Sequence, residues 1–254
     1  MSDLFDLKGK AAVVTGGSGG IGSALALGLA EAGADVVVTS RGLEKLEPIA
    51  KQIKDMGRKS LAVSCDITDE ASVAKMVAAA VKELGKIDIL VNAAGKATRK
   101  APEEMALADW QEIMDFNAKG TFILCKAVGQ QMIKQGNGGK IVLVSSVRGS
   151  FGADGAIAYA PSKSSVDSMT RVLALEWAKH KILVNAIAPA VVETELTRPL
   201  LANPDTAKML VGRTPLGRLV HTEDLVGPAV FLSGKASDFI TGQILFVDGG
   251  TYMW

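Results

Sequence analysis

A tyrosine and a lysine one helical turn apart, Tyr159 and Lys163, follow two serines, Ser145 and Ser146, that end an apolar run. Residues four apart on a helix share a face, so the phenol and the ammonium can approach each other. Free tyrosine ionises near pH 10 and is almost fully protonated at neutral pH. An ammonium about 4 Å away is worth up to ~4 kcal/mol at an effective dielectric of 20, roughly three pH units before desolvation takes some back. Such a pair is suited to taking a proton from an alcohol or giving one to a ketone, with Ser146 holding the substrate oxygen in register. Tyr-x-x-x-Lys arises by chance in many helices. Its weight here comes from the serines before it and from a second signal near the N-terminus.

That signal is Thr15-Gly-Gly-Ser-Gly-Gly-Ile-Gly22, set between a β-branched run and a helix-period stretch. Glycines there let the backbone turn tightly and approach a pyrophosphate, whose charge meets the free amides of a helix N-terminus. Gly16, Ser18, Gly20, Ile21 and Gly22 are the expected phosphate contacts. The next apolar run ends in Thr39-Ser40-Arg41, where an acidic side chain would otherwise accept hydrogen bonds from the adenosine ribose. A carboxylate would repel a 2′-phosphate, whereas Arg41 can fork onto it and Ser40 can donate to it. This favours NADP(H), with NAD(H) left open, since Arg41 could equally be a solvated residue after a strand. Asn92, Ala93 and Gly95, in a turn of small residues, would let a cofactor lie against the backbone, or would simply make a tight turn.

These residues need a scaffold, and the hydrophobic pattern supplies one. Strands are expected at 11–15, 35–40, 60–65, 87–92, 140–145, 183–188 and 244–246, with helices at 21–32, 43–56, 70–84, 106–135 and 158–180 between them. Gly33, Gly57 and Gly85 stand where helices would close. Apolar strands separated by amphipathic helices give an α/β fold, a single doubly wound Rossmann-type domain over residues 1–254 with about seven parallel strands and helices on both faces. The stretch 191–222 breaks the rhythm with Pro199, Pro204 and Pro215. It reads either as a small helical substrate lid or as a surface hairpin.

Composition narrows the partners. With 28 Lys+Arg against 27 Asp+Glu the net charge is +1, which offers no field for nucleic acid or an anionic membrane. Two cysteines, Cys65 and Cys125, and two histidines, far apart, make neither a disulfide framework nor a metal site. The start, from Met1 to Lys8, is too polar for a signal peptide, and no apolar run reaches the ~18 residues of a spanning helix. A soluble, cytoplasmic protein acting on a small molecule is expected.

Together the motifs resemble the classical short-chain dehydrogenase/reductase family over essentially the whole chain. The resemblance rests on Thr15–Gly22, Asp66, Asn92–Gly95, Asn117, Ser146, Tyr159, Lys163, Pro189–Thr194 and the ending Phe246-Val-Asp-Gly-Gly250. It implies a catalytic set of Ser146, Tyr159 and Lys163 completed by Asn117 through a bound water; within Asp115-Phe-Asn-Ala118, Asn117 could equally interrupt a helix for structural reasons. It also implies cofactor contacts at Asp66 and Ile67, at Tyr159 and Lys163, and at Pro189, Val192 and Thr194. The family's Pro-Gly is here Pro189-Ala190, and alanine lacks glycine's freedom at positive φ. Substrate contacts are expected at Ser146, Arg148, Phe151, Ala153, Tyr159 and Leu196. The stretches 213–218, 236–239 and 177–180 look like gluconate 5-dehydrogenases and also like 3-oxoacyl-[acyl-carrier-protein] reductases. Arg148 could pair with a sugar-acid carboxylate or point to solvent, and the near-zero charge tilts toward a small hydroxylated or carboxylated substrate. A non-catalytic NADP-binding protein is the third reading, opposed by the intact Ser146, Tyr159 and Lys163. The family is commonly homotetrameric, and the apolar tail Thr251-Tyr-Met-Trp254 would suit burial against a neighbour.

Overall fold

β-branched runs too short to be helices become seven strands: β1 (Ala11–Thr15), β2 (Asp35–Ser40), β3 (Ser60–Ser64), β4 (Ile89–Asn92), β5 (Gly139–Val144), β6 (Ile182–Pro189) and β7 (Ile244–Val247). In the computed structural model, which describes residues 3–253, they form one sheet in the order β3-β2-β1-β4-β5-β6-β7. Every pairing is parallel. The strand order reverses between β1 and β4, so a crevice opens there at the carboxyl ends of the strands.

The alternation of side chains along each strand divides the core in two. Ala12, Val14, Val36, Val38, Ile89 and Val91 face α1 (Gly20–Glu31), α2 (Glu47–Asp55) and the late helix Val226–Ser233. Val13, Val37, Leu90, Ile141 and Leu143 face α3 (Glu70–Leu84) and the long helices that follow. Strands buried on both faces are why they read as continuous apolar runs. Gly33, Gly57 and Gly85 all take positive φ, as helix-closing glycines do.

The expected helix at 106–135 is broken. α4 (Leu107–Met114) passes into a single π turn, Asp115–Lys119, before α5 (Gly120–Gln135) begins. The extra residue swings Asn117 inward until it is 1% exposed. Such turns are inserted where a side chain must leave the helical rhythm. α6 (Tyr159–Trp177) carries the tyrosine and lysine, with Tyr159 its first residue. The interrupted stretch after β6 folds as α7 (Arg198–Leu201) and α8 (Pro204–Gly212), pinned at its base where Val192 and Val220 pair. α9 (Val226–Ser233), absent from the sequence expectation, is apolar all round and so shows no 3.6 period. It packs so closely on α1 that a Cβ at Gly28 would lie 2.2 Å from Val226 Cγ1. Among the described residues no helix is long and apolar enough to cross a membrane, and no three His, Cys, Asp or Glu gather as a metal site. Trp254 and the first two residues lie outside the described residues.

Candidate active site

Two adjoining cavities occupy the crevice. The first is lined by Gly16, Ser18, Gly20, Ile21, Gly22, Ser40, Arg41, Lys45, Ile67, Ala93 and Phe116. Its floor is shaped by glycine: Gly16 sits at φ +68, and a Cβ there would lie 2.8 Å from the Ala93 carbonyl. A Cβ on Gly22 would lie 2.1 Å from the Gly16 oxygen. α1 has no side-chain cap at Gly19 and no acid in its first turn, so the leading amides stay free for an anion. This cradle and donor set fit a dinucleotide pyrophosphate. At the far end Ser40 and Arg41 stand as expected, the Arg41 guanidinium 5.6 Å from the Phe116 ring centroid. Lys45, which the sequence reading did not single out, joins them in the lining.

Two expected contacts are absent from the lining of this cavity. Asn92, 3% exposed, accepts from Thr15 Oγ1 at 2.6 Å and donates to Thr121 Oγ1 at 2.9 Å, tying β1, β4 and α5 together beneath the turn. Asp66 accepts from the Thr68 amide and hydroxyl, which hold its carboxyl below the usual range, and it does not line the cavity.

The second cavity, about 540 Å³, holds Gly95, Arg99, Ser145, Ser146, Arg148, Tyr159, Lys163, Pro189, Ala190, Val192, Thr194 and Leu196. Ile21, Ala93, Gly95, Thr194 and Leu196 line both cavities and make them one cleft. Ser146 caps the short turn Val147–Gly149, its Oγ accepting from the Arg148 amide at 3.1 Å, and it lines the cavity with Tyr159. Burial pushes the Tyr159 phenol up, against the smaller lowering influences of Ser146 and the Arg148 charge.

Lys163 lies on the Tyr159 face as the spacing predicts: its Nζ is 5.8 Å from the Tyr159 ring centroid and donates to the Val144 carbonyl at 2.9 Å. The side chain reaches for the last carbonyl of β5, since a buried ammonium must find an acceptor. Burial also drags its pKa from 10.5 down to about 8, with Asp167 pulling the other way.

Asn117 is fully engaged. Its side chain accepts from the Lys96 amide at 2.9 Å and donates to the Lys96 carbonyl at 2.8 Å and to Ser162 at 2.9 Å, while its own carbonyl accepts from Thr121 at 2.6 Å. Those bonds belong to the structural reading of this residue. They also bring it next to Gly95, where a Cβ would stand 3.5 Å from Lys163 Nζ and 3.9 Å from Asn117 Oδ1. Ala190 causes no strain: Lys181 is the sole non-glycine with positive φ among the described residues.

Of the expected substrate contacts, Ser146, Arg148, Tyr159 and Leu196 line the catalytic cavity. Phe151 does not. It stacks on Tyr252 at 4.6 Å and lines a neighbouring cavity of about 550 Å³, and Ala153 lines neither. The reason is the turn at 147–149, which sends the chain away from the cleft after Arg148. The neighbouring cavity shares Val147, Arg148, Ala190 and Val191 with the catalytic one and adds Arg213. Burial lowers the Arg148 pKa, and so does the repulsion of Arg99 and Arg213. Arg99 and Arg213 lie 114 positions apart, and nothing local in the sequence links either to Arg148.

A family model described as enoyl-(acyl carrier protein) reductase matches residues 16–252. The 2-dehydro-3-deoxy-D-gluconate 5-dehydrogenase of Dickeya dadantii is 43% identical over 98% of this chain and 97% of its own length. The gluconate 5-dehydrogenase of Gluconobacter oxydans is 41% identical over 98% and 96%. Among solved structures, a gluconate 5-dehydrogenase from Burkholderia cenocepacia in complex with NADP and tartrate is 38% identical with a TM-score of 0.95, covering 99% of this chain and 98% of that one. The chain belongs to the short-chain dehydrogenase/reductase family and is an alcohol/ketone oxidoreductase.

Proposed function

We propose that this protein interconverts the secondary alcohol and ketone of a small carboxylated polyol, of the sugar-acid class, with NADP(H). The observation that carries the substrate class is Arg148, which lines the catalytic cavity with Arg99 and Tyr159 and the neighbouring cavity with Arg213. Among the described residues none of the three is paired with a carboxylate within 4 Å. Arg148, disfavoured in its charged form by burial and by Arg99 and Arg213, gains most from an anionic substrate group, which Arg can hold in a bidentate fork. The kinship with sugar-acid dehydrogenases, and the tartrate in the Burkholderia structure, agree with this reading.

Gly16, Ser18 and the amides of Gly20 to Gly22 would hold the pyrophosphate, Ser40, Arg41 and Lys45 the 2′-phosphate, and Val192 and Thr194 the nicotinamide end. When bound, the cofactor supplies or accepts the hydride. Ser146 fixes the substrate oxygen, and Tyr159 gives it a proton in reduction or takes one in oxidation. In the protein alone the phenol stays protonated at neutral pH, which suits the acid role directly. The Lys163 ammonium stabilises the tyrosinate left behind. α7 contributes Pro199 and Leu200 to the cleft and, with α8 behind it, would form a lid that excludes water from the bound substrate. Exposed Phe122 on α5 and Val172 and Leu175 on α6 give an apolar face through which copies of the chain would assemble as a homotetramer.

The test is the initial rate of NADPH and NADH consumption with 5-ketogluconate and with an acetoacetyl thioester, in the parent and in Arg148→Gln. Turnover of the sugar acid with NADPH, and a KM raised at least about tenfold in the variant by loss of a charge-assisted pair, is expected. Turnover of the thioester alone would move the protein to the acyl reductases, and a KM indifferent to Arg148 would remove the arginine reading.

A further inference from the structure

Asp167 lies one turn beyond Lys163 on α6, is 3% exposed, and has no part in the chemistry proposed above. Its Oδ1 accepts a hydrogen bond from Ser145 Oγ. Its Oδ2 lies against the backbone of Gly149, where a Cβ would approach to 2.3 Å. Ser145 and Gly149 bracket the turn that carries Ser146 and Arg148, and the Gly149 amide closes that turn on the Ser146 carbonyl at 2.9 Å. The same face of α6 grips this segment twice more: Lys163 donates to Val144, and Ser164 donates to the Gly149 carbonyl at 2.7 Å.

The charges around the carboxylate are few. Lys163 and Arg171 on α6 attract it, and from β5 the neutral Ser145 hydroxyl faces it. Lys163 in turn faces the Tyr159 phenol and Asp167 on its own helix and the neutral Val144 carbonyl of β5. Arg148 lines the same cavity as Tyr159 and Lys163. Tyr159, Lys163, Asp167 and Arg171 thus follow one another at intervals of four, a ladder of phenol, ammonium, carboxylate and guanidinium along one face of the helix.

We infer that Asp167 is a positioning residue: it accepts from Ser145, lies against Gly149, and so anchors the Ser146–Arg148 turn from α6. The inference rests on the role proposed for Ser146. A buried carboxylate is costly unless it is hydrogen-bonded, and the donor it has belongs to the segment that does the chemistry.

Two variants test the anchor. Asp167→Asn keeps an acceptor for Ser145, whereas Ser145→Ala removes the bond from the other side. Steady-state kinetics of NADPH-dependent reduction of 5-ketogluconate are measured for both. In Ser145→Ala kcat is expected to drop about tenfold through lost alignment while the KM for NADPH stays in place, and Asp167→Asn is expected to keep most of the parental kcat. A parent-like kcat in Ser145→Ala, or a loss in Asp167→Asn as deep as in Ser145→Ala, overturns the anchoring role. The serine variant decides alone should Asp167→Asn not fold. Tyr159→Phe is the control for the underlying chemistry: if it still turns over, the roles of Tyr159 and Lys163 fail, yet the loss in Ser145→Ala still reports on the anchor.

Discussion

Replacing Lys163 with methionine should stabilise the cofactor-free protein while ending its catalysis. Burial lowers this lysine from 10.5 to about 8, so at neutral pH the folded chain holds an ammonium it would rather not carry. At 1.36 kcal/mol per pH unit, that displacement is a burden of ~3 kcal/mol. Methionine has similar length and no charge, and it forfeits the bond to the Val144 carbonyl, which returns about 1–2 kcal/mol as a buried acceptor loses its donor. The balance is a gain of roughly 1–2 kcal/mol, or about 2–8 °C in Tm for a chain of this size. The pH dependence gives the signature. Between about 8 and 10.5 the unfolded parent binds a proton that the folded parent does not, so parental stability rises across that window. The variant lacks that rise. Its advantage should therefore be complete below about pH 8 and gone by about 10.5. Urea denaturation of both proteins at pH 7, 9 and 10.5 measures it. A methionine variant less stable than the parent at pH 7, or an advantage equal at all three values, would refute the claim that Lys163 is held charged against its surroundings.

Two further outcomes follow from exposed features of the fold. Ser40→Asp combined with Arg41→Ala places a carboxylate where a 2′-phosphate would sit and removes a forked donor. The ratio of kcat/KM for NADPH over NADH should fall roughly tenfold to a hundredfold, as expected for losing bonds to a charged group, and an unchanged ratio would remove Ser40 and Arg41 from cofactor choice. Leu175 is 80% exposed on α6, and Leu175→Glu should shift the protein to a smaller species in light scattering after gel filtration. An unaltered mass would show that this face is not where copies meet.

What the sequence disclosed, and what it hid, follows from how far each signal reaches along the chain. Strands buried on both faces leave apolar runs, and glycines at helix ends leave a mark at one position, so the alternating order and the seven-stranded sheet are written locally. The glycine turn and the Tyr-x-x-x-Lys pair are equally local, because each is a backbone or helix-face requirement within eight residues. α9 was hidden because a helix apolar all round has no period, and the break at Asp115–Lys119 because a π turn costs one residue and leaves the helix-forming composition intact. The substrate end is where local reading stops. Arg99 follows β4, Arg148 follows β5 and Arg213 ends α8, and only the parallel order of the strands brings the three to one rim.

The orientation of Lys163 shows the same limit at close range. Spacing alone put the ammonium near the phenol, and it does lie on that face. Yet the side chain answers to whatever acceptor the next strand presents, here the Val144 carbonyl, and to a carboxylate one turn further on. A helix period can say which residues are neighbours. It takes the packing of α6 on β5 to say which of them the charge will choose, and at this site the Lys163 ammonium lies over the Tyr159 ring while giving its hydrogen bond to the strand.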